Sequence, residues 1–427
     1  MGSVRVGGAK NAGFKLIIAV CLGSRRSRIL NLSHVGDVDV TIRTLQKLGL
    51  DVKECGEKSV FVEPNGIKTS KLPQFAGEKC RASTLFAGML LAKTGKAIIP
   101  LPGGCVLGSR PINRHLEAFK SLGVKVKFVN NLIHLTTKKL KGTTFCFDKK
   151  THTGTESMLL ASACAQGKTI IKNAAQEPEI DDMIALLNKM GAKIRREKEK
   201  IVIDGVKKLG GAIHKAMPDR NEAVSYAVAA LATRGDIVIE NAQPKTIEAF
   251  LEKLEKIGAR FKIADYGIRF WYKKPLQATN IKTAPAPGFM TDWQPLWTLL
   301  MTQAKGESHI IETVHNNRLQ YIKELNKMGA KINLYNPVIK NPQKLYQFES
   351  VQADTSFHAA KVSGPTPLKA AHLKVPDLRA GATLTIAALI AHGRSTVENI
   401  EHIDRGYEKL DEKLRQLGAN IRKEQNS

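Results

Sequence analysis

Residues 187–194 read LNKMGAKI, and residues 325–332 read the same eight residues again. The octapeptide has the form of an amphipathic helix end, a glycine stop and the start of a strand. Leu187 and Met190 share a helix face, Gly191 is suited to the left-handed cap, and the alternation after it has the period of a strand. Variants of the phrase occur four more times: LQKLGLDV around Gly49, FKSLGVKV around Gly123, LEKIGARF around Gly258 and LRQLGANI around Gly418. Roughly 70 to 90 residues separate successive glycines, so each repeat is a whole supersecondary unit and not a solenoid turn.

Working outward, a more apolar segment precedes each phrase. The six are NAGFKLIIAV, RASTLFAGMLLAKTG, GTESMLLASACAQG, NEAVSYAVAALATRG, TDWQPLWTLLMTQAKG and RAGATLTIAALIAHG. Segments apolar nearly all round belong inside a protein. Each is expected to be a buried helix followed by a strand, the outer amphipathic helix and another strand. Further strands such as VFVEPNGI, LIHLTTKKLKG and IVIDGVKKLGG supply the sheet edges. The expected fold is α/β: two similar domains, each of three β-α-β-α-β-β-type units, with buried parallel helices surrounded by sheets in a pseudo-threefold, inside-out α/β barrel. The break is expected near Met217–Arg220, giving domains at 10–219 and 220–427, with residues 1–9 joining the second.

Each buried helix opens on polar residues: Lys10-Asn11, Arg81, Thr153-Gly154, Asp219-Arg220, Thr291-Asp292 and Asp377 with Arg379. Capping accounts for Thr153 and Thr291. It does not account for Arg81, Arg220 and Arg379, because a cation is unfavourable at the positive end of a helix. Six parallel helices would aim their free N–H groups at one cleft, an anion trap that these cations strengthen. Arg110, Arg318 and Arg405 occupy the same place, ahead of the outer helix, in three repeats.

A thiol stands out. The stretch Leu101–Ile112 reads LPGGCVLGSRPI, with Cys105 in a glycine-rich turn five positions before Arg110. A nearby cation and a helix N-terminus depress a thiol pKa, whereas a small buried turn cysteine would be inert. The other cysteines, at 21, 55, 80, 146 and 164, have no metal-type spacing, which fits a reducing cytoplasm and neither a zinc site nor a disulfide framework. No apolar run has the length of a membrane span. The net charge of +27 lies largely on lysine-rich outer helix faces, with no basic tail or aromatic-interleaved strand, so nucleic acid is not the expected partner.

The motifs GGAKNAG, RAS, PGGC, GSRP, EPEIDD, PDRNEA, GFMTDWQ, ETVHNNR, PDLRA and HIDRGYEKL occur in this order over nearly the whole chain. Together they resemble the UDP-N-acetylglucosamine enolpyruvyl transferases, a branch of the EPSP synthase family. The resemblance implies transfer of the enolpyruvyl group of phosphoenolpyruvate to the 3-hydroxyl of UDP-N-acetylglucosamine. It implies release of phosphate, no cofactor or metal, and an active site in the cleft between the domains. The family's place is the first committed step of peptidoglycan synthesis, in the cytoplasm, and it is a fosfomycin target.

By the same resemblance Cys105 is the general acid at the methylene carbon and Asp292 the base at the sugar hydroxyl. Lys10, Arg81, Arg110 and Arg405 surround phosphoenolpyruvate. Asn11 contacts the sugar, Asp377 handles protons with Arg318 beside it, and Arg379 is a substrate-binding residue. Pro111, Ile112, Asn113 and Arg114 fall on the uridine contact, and Lys150, His152, Thr153 and Gly154 on the uridine-diphosphate segment.

Four departures mark this chain. Only MGSVRVG precedes the GAKNA motif, so the second domain's sheet is expected to lack an edge strand. Asn113 and Arg114 stand where an acid is usual, His152 where a small serine-like residue is usual, and Lys15 where proline is usual. The readings these leave beside the main one are a related transferase with another acceptor and a silent paralogue that binds nucleotide sugars.

Overall fold

The computed structural model describes residues 1–78, 83–101, 112–348 and 356–424. It divides into two compact units: one takes the described residues between Gly8 and Met217, the other Met1–Gly7 and the described residues from Pro218 on. Both changes of unit fall two residues ahead of the expected boundaries. Backbone bonding explains the offset. In the first unit the Ala9 N–H donates to the Met217 carbonyl at 2.7 Å. In the second, the Asp219 N–H donates to the Gly7 carbonyl at 2.9 Å, and the Gly7 N–H donates to the Glu222 carboxylate at 2.7 Å.

Each unit holds three helices buried on all sides. They are Lys10–Val20, Ser83–Thr94 and His152–Ser162 in the first, and Arg220–Ala232, Gln294–Thr302 and Leu378–Ile390 in the second. These are the six apolar segments of the sequence. Each fully buried Leu, Ile or Met in them contributes about 1.5–3 kcal/mol. In the second unit Trp297 packs edge-on against Phe250 and Phe289 at centroid separations of 5.9 and 5.4 Å, in the aromatic geometry that adds to area burial.

The amphipathic helices lie outside: Gly36–Lys47, Asn113–Ser121, Pro178–Lys189, Glu248–Lys256, Ile322–Lys327 and Leu410–Gln416. The glycine ending each repeat phrase has a positive φ, from 77° at Gly258 to 101° at Gly49 and Gly191. At Gly49 the space is closed as well, since a Cβ would meet the Gly66 carbonyl oxygen at 2.6 Å.

Among the described residues the strands form six sheets, three to a unit. Four share one plan: a parallel edge strand, then two antiparallel neighbours. Asp236–Glu240, for example, pairs parallel with Gly2–Arg5 and antiparallel with Gly267–Trp271, which pairs in turn with Arg260–Ala264. The expectation of a missing edge strand is thus overturned. The short lead GSVR is itself that strand, with Val4 buried over the second unit's core.

The sixth repeat departs from the plan. Its sheet is the parallel pair His372–Lys374 and Thr396–Glu398, and residues 419–424 form no strand. The LGANI phrase keeps its glycine cap but has no antiparallel neighbour to pair with among the described residues. Among them, no helix is long and apolar enough to cross a membrane.

Candidate active site

In the second unit the openings of the three buried helices are joined. Asp219 caps Arg220–Ala232, accepting from the N–H groups of Asn221 and Glu222, and Asp377 caps Leu378–Ile390, accepting from Arg379 and Ala380. The Asn221 side chain accepts from Trp293 Nε1 at 2.9 Å. Arg379 donates through Nε and Nη2 to Asp292 Oδ2 at 3.1 and 3.0 Å. Its guanidinium lies over the Tyr407 ring, whose hydroxyl meets Ser225 Oγ at 2.8 Å. Arg318, 2% exposed, reaches Asp292 and Asp377, each at 3.5 Å.

This geometry corrects the capping assignments. Thr291 does not cap Gln294–Thr302, whose N-cap is Trp293: its hydroxyl donates to Glu312 at 3.0 Å, and Glu312 also accepts from the backbone of Val314 and His315. It also answers the misplaced cation at Arg379, which has the Asp292 carboxylate beside it. Burial opposes ionisation of Asp292, but Arg379 and Arg318, with His315 and Arg220, outweigh it and hold the carboxyl far below its usual range. Burial likewise opposes the Arg379 charge, and Asp292 reverses this and holds the guanidinium firmly protonated. Among the described residues Arg318 Nε is a buried donor with no hydrogen-bond partner. A buried donor left open beside arginines suits an anionic ligand.

Arg405 ends the short Glu401–Asp404 helix and is exposed. Arg318 and Arg405 therefore share a place in the repeat but not an environment.

In the first unit Lys10 opens its helix and pairs with Asp37 at 2.7 Å, with its ammonium 5.7 Å from the Phe14 ring centre. Asn11 follows it in the first turn. Thr151, and not Thr153, caps His152–Ser162, its hydroxyl accepting from the Gly154 N–H. Thr153 Oγ1 instead meets His115 Nε2 at 2.9 Å. Burial and Arg114 push the His115 ring down to about 4, so it is neutral. Lys150 pairs with Glu199 at 2.6 Å.

Asn113 begins the Asn113–Ser121 helix behind Ile112, its N-cap. Arg114 donates through two nitrogens to Asp148 at 2.7 and 3.0 Å. An acid thus does stand beside this segment, although the sequence places it far away. Cys105, Arg81, Arg110 and Pro111 lie outside the described residues.

Sequence reasoning missed the counter-charges Asp37, Asp148 and Glu156, and the buried acceptor Glu312. One signal was available: Glu156 is a carboxylate inside the apolar run GTESMLLASA, and a fully buried acid needs a partner.

Residues 1–414 match the EPSP synthase (3-phosphoshikimate 1-carboxyvinyltransferase) family. A UDP-N-acetylglucosamine 1-carboxyvinyltransferase of Halothermothrix orenii is 38% identical over 423 residues, 99% of this chain and 96% of that protein. One from Coxiella burnetii is 39% identical over 425 residues, 99% of this chain and 93% of that protein. The solved enolpyruvyl transferase NikO from Streptomyces tendae superposes with a TM-score of 0.84 at 23% identity, covering 99% of this chain and 96% of that one. The EPSP synthase of Acinetobacter baumannii superposes at 0.69, with 18% identity over 97% of this chain and 95% of that one. The likeness of fold, the full-length match and the repeat plan together assign the chain to the EPSP synthase family of carboxyvinyl transferases.

Proposed function

We propose that the chain transfers the enolpyruvyl group of phosphoenolpyruvate to the 3-hydroxyl of UDP-N-acetylglucosamine and releases phosphate. The observation that carries this reading is Asp292, an ionised carboxylate held between Arg379 and Arg318 on a chain similar end to end to enzymes named for that reaction. In the cell this is the opening step of peptidoglycan synthesis, performed in the cytoplasm, by an enzyme open to fosfomycin.

The acceptor oxygen bonds to C2 of phosphoenolpyruvate while C3 gains a proton. The C2–O bond to phosphate then breaks, C3 gives a proton up, and the double bond returns. Charge moves between a carboxylate, a phosphate and an oxocarbenium-like carbon, and fixed cations stabilise such a shift without reorganising. Asp292 takes the hydroxyl proton. In the free chain its pairing with Arg379 and Arg318 makes it a weak base. An arriving phosphate or carboxylate draws on the same arginines and returns basicity to it. Cys105 supplies the proton at C3, and Asp377 works with Arg318 in proton handling. Lys10, Arg81, Arg110, Arg379 and Arg405 bind phosphoenolpyruvate. Asn11, Pro111, Ile112, Asn113, Arg114, Lys150, His152, Thr153 and Gly154 bind the acceptor.

Cys105 is expected to be alkylated faster than the other thiols, at a rate that changes when the sugar nucleotide is added. Burial pushes Cys21 up to about 12 and also raises Cys164, which removes both from competition. Peptide mapping after brief iodoacetamide treatment reads the rates, and uniform labelling of all six thiols would remove Cys105 from the acid role.

The reaction is tested by mass spectrometry of the acceptor after incubation with phosphoenolpyruvate. A carboxyvinyl adduct on UDP-N-acetylglucosamine is expected. An adduct found only on another nucleotide sugar would support the alternative acceptor, which the residues Asn113, Arg114 and His152 keep in view.

A further inference from the structure

Two of the residues that depart from the resemblance, Lys15 and His152, meet in space. Lys15 lies within the buried Lys10–Val20 helix and is 3% exposed. Its ammonium donates to Glu156 Oε1 at 2.8 Å and sits 3.1 Å from His152 Nε2. Glu156, fully buried one turn into His152–Ser162, lies 3.0 Å from the same ring nitrogen. Burial works to raise its carboxyl, but His152 and Lys15 hold it below the usual range, so it is ionised. Nε2 of His152 is therefore shared between an ammonium and a carboxylate. Its other nitrogen, Nδ1, has no hydrogen-bond partner among the described residues, and 22% of the side chain is exposed.

A neutral imidazole carries one N–H and one bare nitrogen, and the partner of one nitrogen sets the state of the other. An ammonium has only donors to offer. Placed against Nε2, it holds that nitrogen bare and leaves the proton on Nδ1. Protonating the ring adds an N–H at Nε2, which donates to Glu156. In both states Nδ1 carries a proton. Without Lys15 the neutral ring would give its Nε2–H to the Glu156 carboxylate and turn a bare lone pair outward.

The groups facing the ring are few. Lys15 comes from its helix, Glu156 from the ring's own helix, and Glu177 from the start of Pro178–Lys189. His115, joined to Thr153, is neutral. Burial disfavours the His152 cation and Lys15 adds to that, yet Glu156 and Glu177 hold the ring above its usual value.

We propose that Lys15 is a positioning residue for acceptor recognition: through His152 and Glu156 it keeps a proton on His152 Nδ1 for the anionic diphosphate of the sugar nucleotide. The assignment rests on the proposed function, and on residues 150–154 taking the diphosphate.

Titration calorimetry of UDP-N-acetylglucosamine binding between about pH 6 and 9 tests it on the whole chain and on Lys15→Met, Lys15→Arg and His152→Asn. In the parent chain affinity should change no more than a few-fold. In Lys15→Met it should fall about ten- to hundred-fold as pH rises through the ring's titration, the range for a hydrogen bond to a charged group. Lys15→Arg should keep the parent profile, and His152→Asn should be weaker and flat. Histidine ¹⁵N shifts of the unliganded parent above that titration should report Nδ1–H. A pH-independent loss in Lys15→Met, or an Nε2–H in the parent chain, overturns the assignment. Absence of binding by the parent chain at every pH overturns the acceptor reading and the assignment together.

Discussion

Replacing Asp292 with Asn is expected to lower turnover by about 10²–10⁴-fold, the range general-base catalysis supplies, while leaving sugar-nucleotide affinity within a few-fold. The amide keeps the shape and one acceptor for Arg379 but has no charge with which to take the hydroxyl proton. The Asp292 side chain is 23% exposed, so solvent can meet part of the charge left on the two arginines. Turnover and calorimetric binding measured on one preparation separate the roles. Near-parent turnover in Asp292→Asn would remove Asp292 as the base, and a parallel loss of binding would make it a structural residue.

Arg379→Met is expected to cost about 3–5 kcal/mol of stability as well as most activity, because it removes the nearest cation from a carboxylate that burial penalises. The cost should depend on pH with a definite sign. In the parent chain the folded Asp292 carboxyl is held far below its ordinary value. The stability it contributes is thus present above the unfolded value, about 4, and is lost as pH falls through the folded one. In the variant the folded value climbs back toward the unfolded one and that contribution disappears. The gap between parent and variant should therefore be widest near neutral pH and shrink toward about pH 3. Tryptophan emission during urea unfolding reads it, since Trp271, Trp293 and Trp297 are the chain's three tryptophans and all lie in the second unit. A gap that is constant with pH would assign the loss to packing against Tyr407 and not to the ion pair.

The parts of this protein legible in the sequence are those set by local pattern. The six glycine caps could be read because a left-handed residue after an amphipathic helix leaves a mark within eight residues. The buried helices could be read because a segment apolar all round has few other places to go. The cap at Thr151 was missed for Thr153 because helix starts slide by a residue or two when only pattern is used.

Ion-pair partners were out of reach for a different reason. Asp37 for Lys10, Asp148 for Arg114 and Glu156 for Lys15 are chosen by how the elements pack, and a carboxylate distant in sequence carries no mark of the cation it will meet. The same limit makes Arg379 look uncompensated in the sequence, 87 positions from the Asp292 carboxylate that it meets. The departures at Lys15 and His152 looked independent for the same reason, although they form one cluster around Glu156. The roles of Cys105, Arg81, Arg110 and Pro111 rest on resemblance and on the chemistry of their residue types.

The most direct test of the central claim is phosphate release from phosphoenolpyruvate by the purified chain, with and without UDP-N-acetylglucosamine. The account predicts release only when the sugar nucleotide is present, with one phosphate for each carboxyvinylated acceptor. Sugar-nucleotide binding with no phosphate released, or release at the same rate without the acceptor, would contradict it.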